Sequence, residues 1–194
     1  MRVKICGTTH LDDALFCDEL KVDFLGFIFH PDSPRFVDYS AAREIINVLK
    51  YAKAIGVFVH HSRDEIMDIA AQLNLWGVQI YQDHHFESPD FKIIRAHRVS
   101  GVEDWGALQS VASDYVLLDA YHEKQFGGTG QPFDWGDLPQ DLSRVFLAGG
   151  INLSNMHEAK SLNPFAIDLV SGVERTPGRK DFAKLEALMK FCRA

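Results

Sequence analysis

Cysteine is scarce and never paired. Cys6, Cys17 and Cys192 are the only three in 194 residues, and none stands in a CxxC or zinc-like spacing. An odd count reads as free thiols in a reducing compartment, not as a disulfide framework. Basic runs are lacking too. Lys and Arg number 20 against 27 Asp and Glu, a formal net charge of −7. Nothing here would track a phosphate backbone, so nucleic acid is not an expected partner. No apolar run approaches the ~20 residues of a membrane-spanning helix, and no membrane partner is expected. Met1-Arg2-Val3-Lys4 runs within a few residues into Gly7-Thr8-Thr9-His10, leaving no hydrophobic stretch for a secretory signal. The expected location is the cytoplasm. Nine histidines are scattered, and the pairs His60-His61 and His84-His85 are adjacent. Adjacent residues lack the i, i+4 geometry that places two ligands on one helix face. No metal site is expected.

Apolar residues make up 46% of the chain, enough for a sizeable core. They gather in eight short runs, at 3–6, 24–29, 54–59, 78–81, 92–98, 115–119, 145–148 and 166–170. Most runs are β-branched or aromatic and are bounded by Gly, Pro, Asp or Ser, as strands are. Continuous apolarity, in place of alternation, suits parallel strands covered on both faces. Helical spacing fills several of the gaps. Ala42, Ile45, Ile46 and Leu49 share one helix face, with Ser40 as the expected N-cap. Ser62 and Glu65 form a capping-box pattern ahead of Ile66, Ile69, Ala70 and Leu73. Leu185, Leu188, Met189 and Cys192 repeat the spacing in a last helix. The segments after Tyr81 and after Asp119 are poor helices, broken by Ser88-Pro89 and Leu138-Pro139.

Eight such units with no linker or low-complexity tract predict one α/β domain over 1–194, a closed (β/α)8 TIM barrel. A usual barrel has ~250 residues. This one therefore needs short loops and one or two abbreviated helices. An open doubly wound sheet is the alternative, but it normally uses five or six strands.

Active sites of such barrels lie at the C-terminal ends of the strands. The first run ends in Cys6-Gly7 and the sixth in Asp119. A thiol and a carboxyl at two strand ends are able to handle two protons. Period-two geometry puts Lys4 on the same side as Cys6, where an ammonium would favour the thiolate. Gly127 and Gly128 belong to a glycine-rich loop after strand six that is expected to cover substrate. Gly149 and Gly150 end strand seven, and Ser171-Gly172 ends strand eight. Barrels often bind phosphate at these two places, because glycine lets backbone N–H groups approach an anion. Arg35, in the loop after strand two, is able to grip a carboxylate bidentately. Tyr81 at the fourth strand end and Asp168 in the eighth strand are counted among the substrate-binding residues.

These strings carry a resemblance. Lys4-Ile5-Cys6-Gly7-Thr8-Thr9, Ser33-Pro34-Arg35, Leu117-Leu118-Asp119, Gly127-Gly128-Thr129-Gly130, Ala148-Gly149-Gly150-Ile151-Asn152 and Ser171-Gly172-Val173-Glu174, with Gly178 and Lys180-Asp181, closely resemble the phosphoribosylanthranilate isomerase family. The resemblance implies an Amadori rearrangement in tryptophan biosynthesis, chemistry that needs no metal and no redox cofactor. N-(5-phosphoribosyl)anthranilate becomes 1-(2-carboxyphenylamino)-1-deoxyribulose 5-phosphate. It further implies Asp119 as general acid on the ring oxygen and Cys6 as general base at C2. Arg35 would hold the anthranilate carboxylate, and Gly149, Gly150, Ser171 and Gly172 the phosphate. Family members usually read Val-Gln-Leu-His-Gly where this chain reads Val78-Gln79-Ile80-Tyr81-Gln82. Val170 stands where they usually have a serine and Gln131 where a lysine is common. Two other readings follow from these differences: a barrel isomerase for another phosphorylated amino sugar, or a non-catalytic binder of one. The chain is expected to act as a monomer or homodimer.

Overall fold

A computed structural model describes residues 1–81, 87–99, 112–120, 135–136 and 138–194. All eight expected strands form. They are β1 (Arg2–Ile5), β2 (Phe24–Ile28), β3 (Lys53–Phe58), β4 (Gly77–Ile80), β5 (Lys92–Val99), β6 (Tyr115–Ala120), β7 (Val145–Leu147) and β8 (Ala166–Leu169). Each pairs in parallel with the next, and β8 returns to β1 with Lys4 opposite Asp168. The sheet is thus a closed eight-stranded barrel. The open-sheet alternative is excluded.

Closure divides the core in two. Phe24, Ile55, Ile94, Leu117, Phe146 and Ala166 point inward and fill the barrel floor. The alternate residues, Val3, Ile5, Leu25 and Phe27 among them, point outward into a layer shared with the helices. That two-sided burial explains why the strands read as continuous apolar runs. Helix α1 (Leu11–Glu19) buries Ala14 and Cys17. Helix α2 (Tyr39–Ile46) buries Ala42 and Ile45. Helix α3 (Arg63–Gln72) opens with the expected capping box of Ser62 and Glu65. Helix α4 (Met156–Ser161) is abbreviated, with six residues. Helix α5 (Phe182–Arg193) buries Leu185, Leu188, Met189 and Cys192. Cys17 and Cys192 are therefore packing residues.

One helix start differs from expectation. Asp38, not Ser40, is the N-cap of α2 and accepts the Ala41 N–H at 2.9 Å. Ser40 lies inside the first turn and donates its hydroxyl to Asp38 at 2.6 Å. A carboxylate takes this position because it accepts both the orphan N–H and the hydroxyl. Between β4 and β5, the described residues 87–91 are not helical. Beyond β8 the chain makes a 3-10 turn (Ser171–Val173) and a small hairpin of β9 (Glu174–Thr176) and β10 (Arg179–Lys180). This hairpin was not visible as strands in the sequence. It lies beside the mouth of the barrel, close to the end of β1.

Candidate active site

The C-terminal mouth holds a cavity of about 680 Å³, lined among others by Cys6, Asp119, Arg35, Tyr81, Gly150 and Ser171. That volume suits a small organic ligand. Cys6 follows directly on β1, its N–H bonded to the Leu169 carbonyl of β8 at 2.9 Å. The residue is 4% exposed. Gly26 on β2 makes room for it, since a Cβ there would stand 2.6 Å from Sγ. Asp119 lies in β6, three strands away round the barrel, and is 7% exposed. Acid and thiol thus enter one cavity from different sides.

Lys4 lies one layer below Cys6, fully buried, as period-two geometry requires. Its Nζ donates to Asp168 Oδ2 at 2.7 Å and to Gln79 Oε1 at 2.9 Å. Gln79 Nε2 donates in turn to the Tyr81 hydroxyl at 3.2 Å. Burial pulls the Lys4 ammonium down, but the Asp168 carboxylate and Cys6 outweigh it and hold Lys4 above its ordinary value. The expected pull of Lys4 on the Cys6 thiol is present but outweighed. Burial pushes the thiol above its ordinary value, and the pull of Lys4 and Lys180 does not reverse this. Asp168 beside Lys4 works against the thiolate as well. The resting group is the thiol.

Asp168 also lines the cavity. Its Oδ1 is buried and accepts no hydrogen bond from the described residues. Tyr81 is pushed well above an ordinary phenol, first by burial and then by the nearby Asp119. It stays a neutral hydroxyl.

The glycine sites differ in their reasons. Gly149 and Gly150 have φ of +81° and +69°, a left-handed backbone that other residues rarely adopt. Asn152 and Asn155 donate to the Gly150 carbonyl at 2.9 and 3.1 Å. A trans peptide then aims the Ile151 N–H the opposite way. Gly172 is needed for contact, because a Cβ there would collide with the Ile151 carbonyl oxygen. It packs the 3-10 turn against the loop after β7, while Ser171 faces the cavity. Gly127 and Gly128 lie outside the described residues, as do Gln82 and Gln131.

Arg35 is not a solvated loop arginine. Its side chain is 12% exposed and pairs with Glu174, Nη2 to Oε2 at 2.7 Å. It still lines the cavity. Sequence reasoning gave no role to Glu174 or Lys180. It also passed over Arg98 on β5, although the alternation of Ile94 and Ala96 points Arg98 inward. Arg98 is in register with Asp119, and its guanidinium lies 5.6 Å from the centre of the Tyr81 ring. His30 and His60 meet edge to face at the rim, 5.3 Å apart. Among the described residues, no group of three or more His, Cys, Asp or Glu is placed to hold a metal ion.

A closed barrel with titratable groups from separate strands in one mouth defines the class of (β/α)8-barrel enzymes. Comparison with known proteins narrows the class to a family. The family model for N-(5'phosphoribosyl)anthranilate (PRA) isomerase matches residues 3–191, and the chain belongs to that family. The N-(5'-phosphoribosyl)anthranilate isomerase of Geobacter metallireducens is 38% identical over 204 residues, with 100% of each chain covered. The crystal structure of phosphoribosyl anthranilate isomerase from Thermus thermophilus superposes with a TM-score of 0.87 at 32% identity, covering 100% of this chain and 98% of that one. A phosphoribosyl anthranilate isomerase in complex with reduced 1-(o-carboxyphenylamino)-1-deoxyribulose 5-phosphate gives 0.83 at 33%, again covering 100% and 98%. Among the described residues, no helix is long and apolar enough to cross a membrane.

Proposed function

We propose that this chain isomerises N-(5-phosphoribosyl)anthranilate to 1-(2-carboxyphenylamino)-1-deoxyribulose 5-phosphate in tryptophan biosynthesis. Asp119, as the acid, gives a proton to the ring oxygen. The C1–O bond breaks and the glycosylamine opens to a Schiff base. Cys6 loses its proton to solvent before turnover and, as the thiolate base, takes the C2 proton and leaves an enolamine, which tautomerises to the ketone. No atom is lost or gained, so the reaction needs no redox partner. Arg35 faces the anthranilate carboxylate. Gly149, Gly150 and Ser171 receive the phosphate, with the Ile151 N–H among the donors, and Gly172 holds their loops together. Asp168 Oδ1 accepts a sugar hydroxyl, and Tyr81 closes the side of the cavity next to Asp119. Gly127 and Gly128 belong to a loop that covers the substrate. The whole chain works as one barrel domain in the cytoplasm, as a monomer or homodimer, with no nucleic-acid partner.

The observation that carries this reading is the convergence of Cys6 and Asp119 on one cavity. General acid and general base groups each contribute about 10²–10⁴-fold. Freshly generated phosphoribosylanthranilate loses its anthranilate fluorescence as it isomerises, and that decay is the readout. The wild type is expected to accelerate it, and Cys6→Ala and Asp119→Asn to lower kcat by about 10²-fold or more. Decay no faster than spontaneous hydrolysis in the wild type would reject the assignment. Ligand binding indifferent to both changes, without turnover, would turn the reading towards a non-catalytic binder.

A further inference from the structure

Glu174 and Lys180 take no part in the proton transfers above, yet both are buried, at 7% and 1% exposed. A buried charge persists only when it is paired and hydrogen-bonded. Their partners lead directly to the active site. Lys180 Nζ donates to the Cys6 carbonyl oxygen at 2.6 Å and to Glu174 Oε1 at 2.9 Å. The same carboxylate receives Arg35 Nε at 3.0 and 3.1 Å, Arg35 Nη2 at 2.7 Å and the Gly178 N–H at 3.2 Å. One carboxylate thus serves two cations. The stem of Arg35 packs on Gly7, where a Cβ would lie 2.6 Å from Cδ. Arginine, carboxylate and lysine are therefore locked to the two residues Cys6 and Gly7.

The hairpin that carries Glu174 and Lys180 is anchored by separate contacts. The Lys180 N–H donates to Asp13 Oδ2 at 3.0 Å. Thr9 Oγ1 donates to the Gly178 carbonyl at 2.7 Å. Arg179 pairs with Asp12 at 2.8 Å and lies 3.8 Å from Asp13. None of these contacts needs Arg35 or Cys6, so the hairpin is a fixed base from which both are held.

Besides the Gly7 N–H, four titratable groups act on the Cys6 side chain. They are Lys4 from its own strand, Asp168 from β8, Tyr81 from the end of β4 and Lys180 from β10. Lys4 is matched by Asp168 at 2.7 Å. Lys180 shares its carboxylate with Arg35, so its charge is less fully offset.

We propose that Glu174 and Lys180 are positioning residues that couple the base to the carboxylate-binding arginine. Lys180 fixes the Cys6 peptide and adds its positive charge to that of Lys4 in stabilising the thiolate. Glu174 fixes the plane of the Arg35 guanidinium, leaving Nη1 for the ligand carboxylate. The roles rest on the isomerase reading. The thiol part is testable without it.

The test combines steady-state kinetics with the pH dependence of Cys6 alkylation by iodoacetamide, resolved from Cys17 and Cys192 by peptide mass. Lys180→Gln keeps a donor near the Cys6 carbonyl and removes the charge. It should move the alkylation midpoint up by about one pH unit and lower kcat, with KM little changed. Lys180→Arg, which restores the charge, should bring the midpoint back towards wild type. Glu174→Gln should raise KM about tenfold, as for one lost charge-assisted hydrogen bond, without an upward shift of the midpoint. Equal losses in kcat and KM from both neutral variants, with the midpoint unmoved, would reduce the cluster to scaffold and overturn the proposal. If Lys180→Gln does not fold, Glu174→Gln decides: a kcat loss with KM unchanged overturns it. If the wild type fails to turn over phosphoribosylanthranilate, the isomerase reading falls, and the alkylation midpoints alone decide the role of Lys180.

Discussion

A Cβ placed on Gly26 would stand 2.6 Å from Cys6 Sγ and 3.1 Å from Cys6 Cα. The first is closer than real Cβ contacts come, the second is tighter than most, and the nearer atom belongs to the thiol of the proposed base. Gly26→Ala should therefore keep the barrel, because the adjacent Leu25 and Phe27 still pack outward, but displace the proposed base. A displacement of about 1 Å at a reacting group costs about 10²-fold. Circular dichroism should be unchanged and kcat should fall by about that factor. Near-normal kcat would mean that the thiol does not need its present position. Cys6 and Asp119 were legible in the sequence because each closes an apolar run, and strand ends are where barrels place chemistry. The partner of Arg35 was not legible. Glu174 lies 139 positions along the chain, and no local pattern links the two. The net balance at Cys6 was not legible for a related reason. The sequence places Lys4 beside the thiol, but the opposing Asp168 and the depth of burial come from closure.

Asp18, near the end of α1, shows how an element is tied to its neighbours. Its carboxylate accepts the N–H groups of Lys50 at 3.0 Å, Tyr51 at 2.8 Å and Ala52 at 2.7 Å. These residues lead directly into β3, so Asp18 fixes where that strand begins. Burial alone would raise its carboxyl, but the three N–H donors outweigh burial and lower it. A lowered folded value means that the contribution is full above the unfolded value of about 3.9 and is lost as pH falls through the folded value. Asp18→Asn should cost about 2 kcal/mol at pH 7. The gap from wild type, read from urea midpoints, should narrow below about pH 4. An unchanged gap at low pH would show that shape and not charge anchors the loop. The elements themselves were legible where local chemistry fixes them, as in the Ser62 and Glu65 capping box. At α2 the sequence pointed to Ser40, and only the fold shows Asp38, two residues earlier, taking the N–H. The hairpin of β9 and β10 escaped because strands of three and two residues carry no periodicity.

The barrel as a whole was legible from a count. Eight apolar runs with helical spacers close more readily than they spread. What the count did not show is that closure places charge on the axis. Lys4 from β1 meets Asp168 from β8 and Gln79 from β4, so one buried ammonium links both ends of the chain to the opposite wall. Such a group is weak evidence for stability, because desolvation offsets much of the attraction. Breaking it is another matter. Lys4→Met leaves a carboxylate buried alone and should destabilise the barrel by about 3–5 kcal/mol. Replacing all three polar groups, as in Lys4→Met/Gln79→Leu/Asp168→Leu, removes the orphan charge and fills the space with apolar volume. That variant should recover most of the lost stability in chemical denaturation, as buried ion pairs replaced by packed hydrophobic residues often do. It should not recover turnover. Asp168 Oδ1, the proposed acceptor for a sugar hydroxyl, is gone, and so is the positive charge beneath the Cys6 thiol. A triple variant as unstable as Lys4→Met would assign the network to the fold. A stable but inactive one would assign it to the site, with the barrel bearing a polar axis that its own packing does not require.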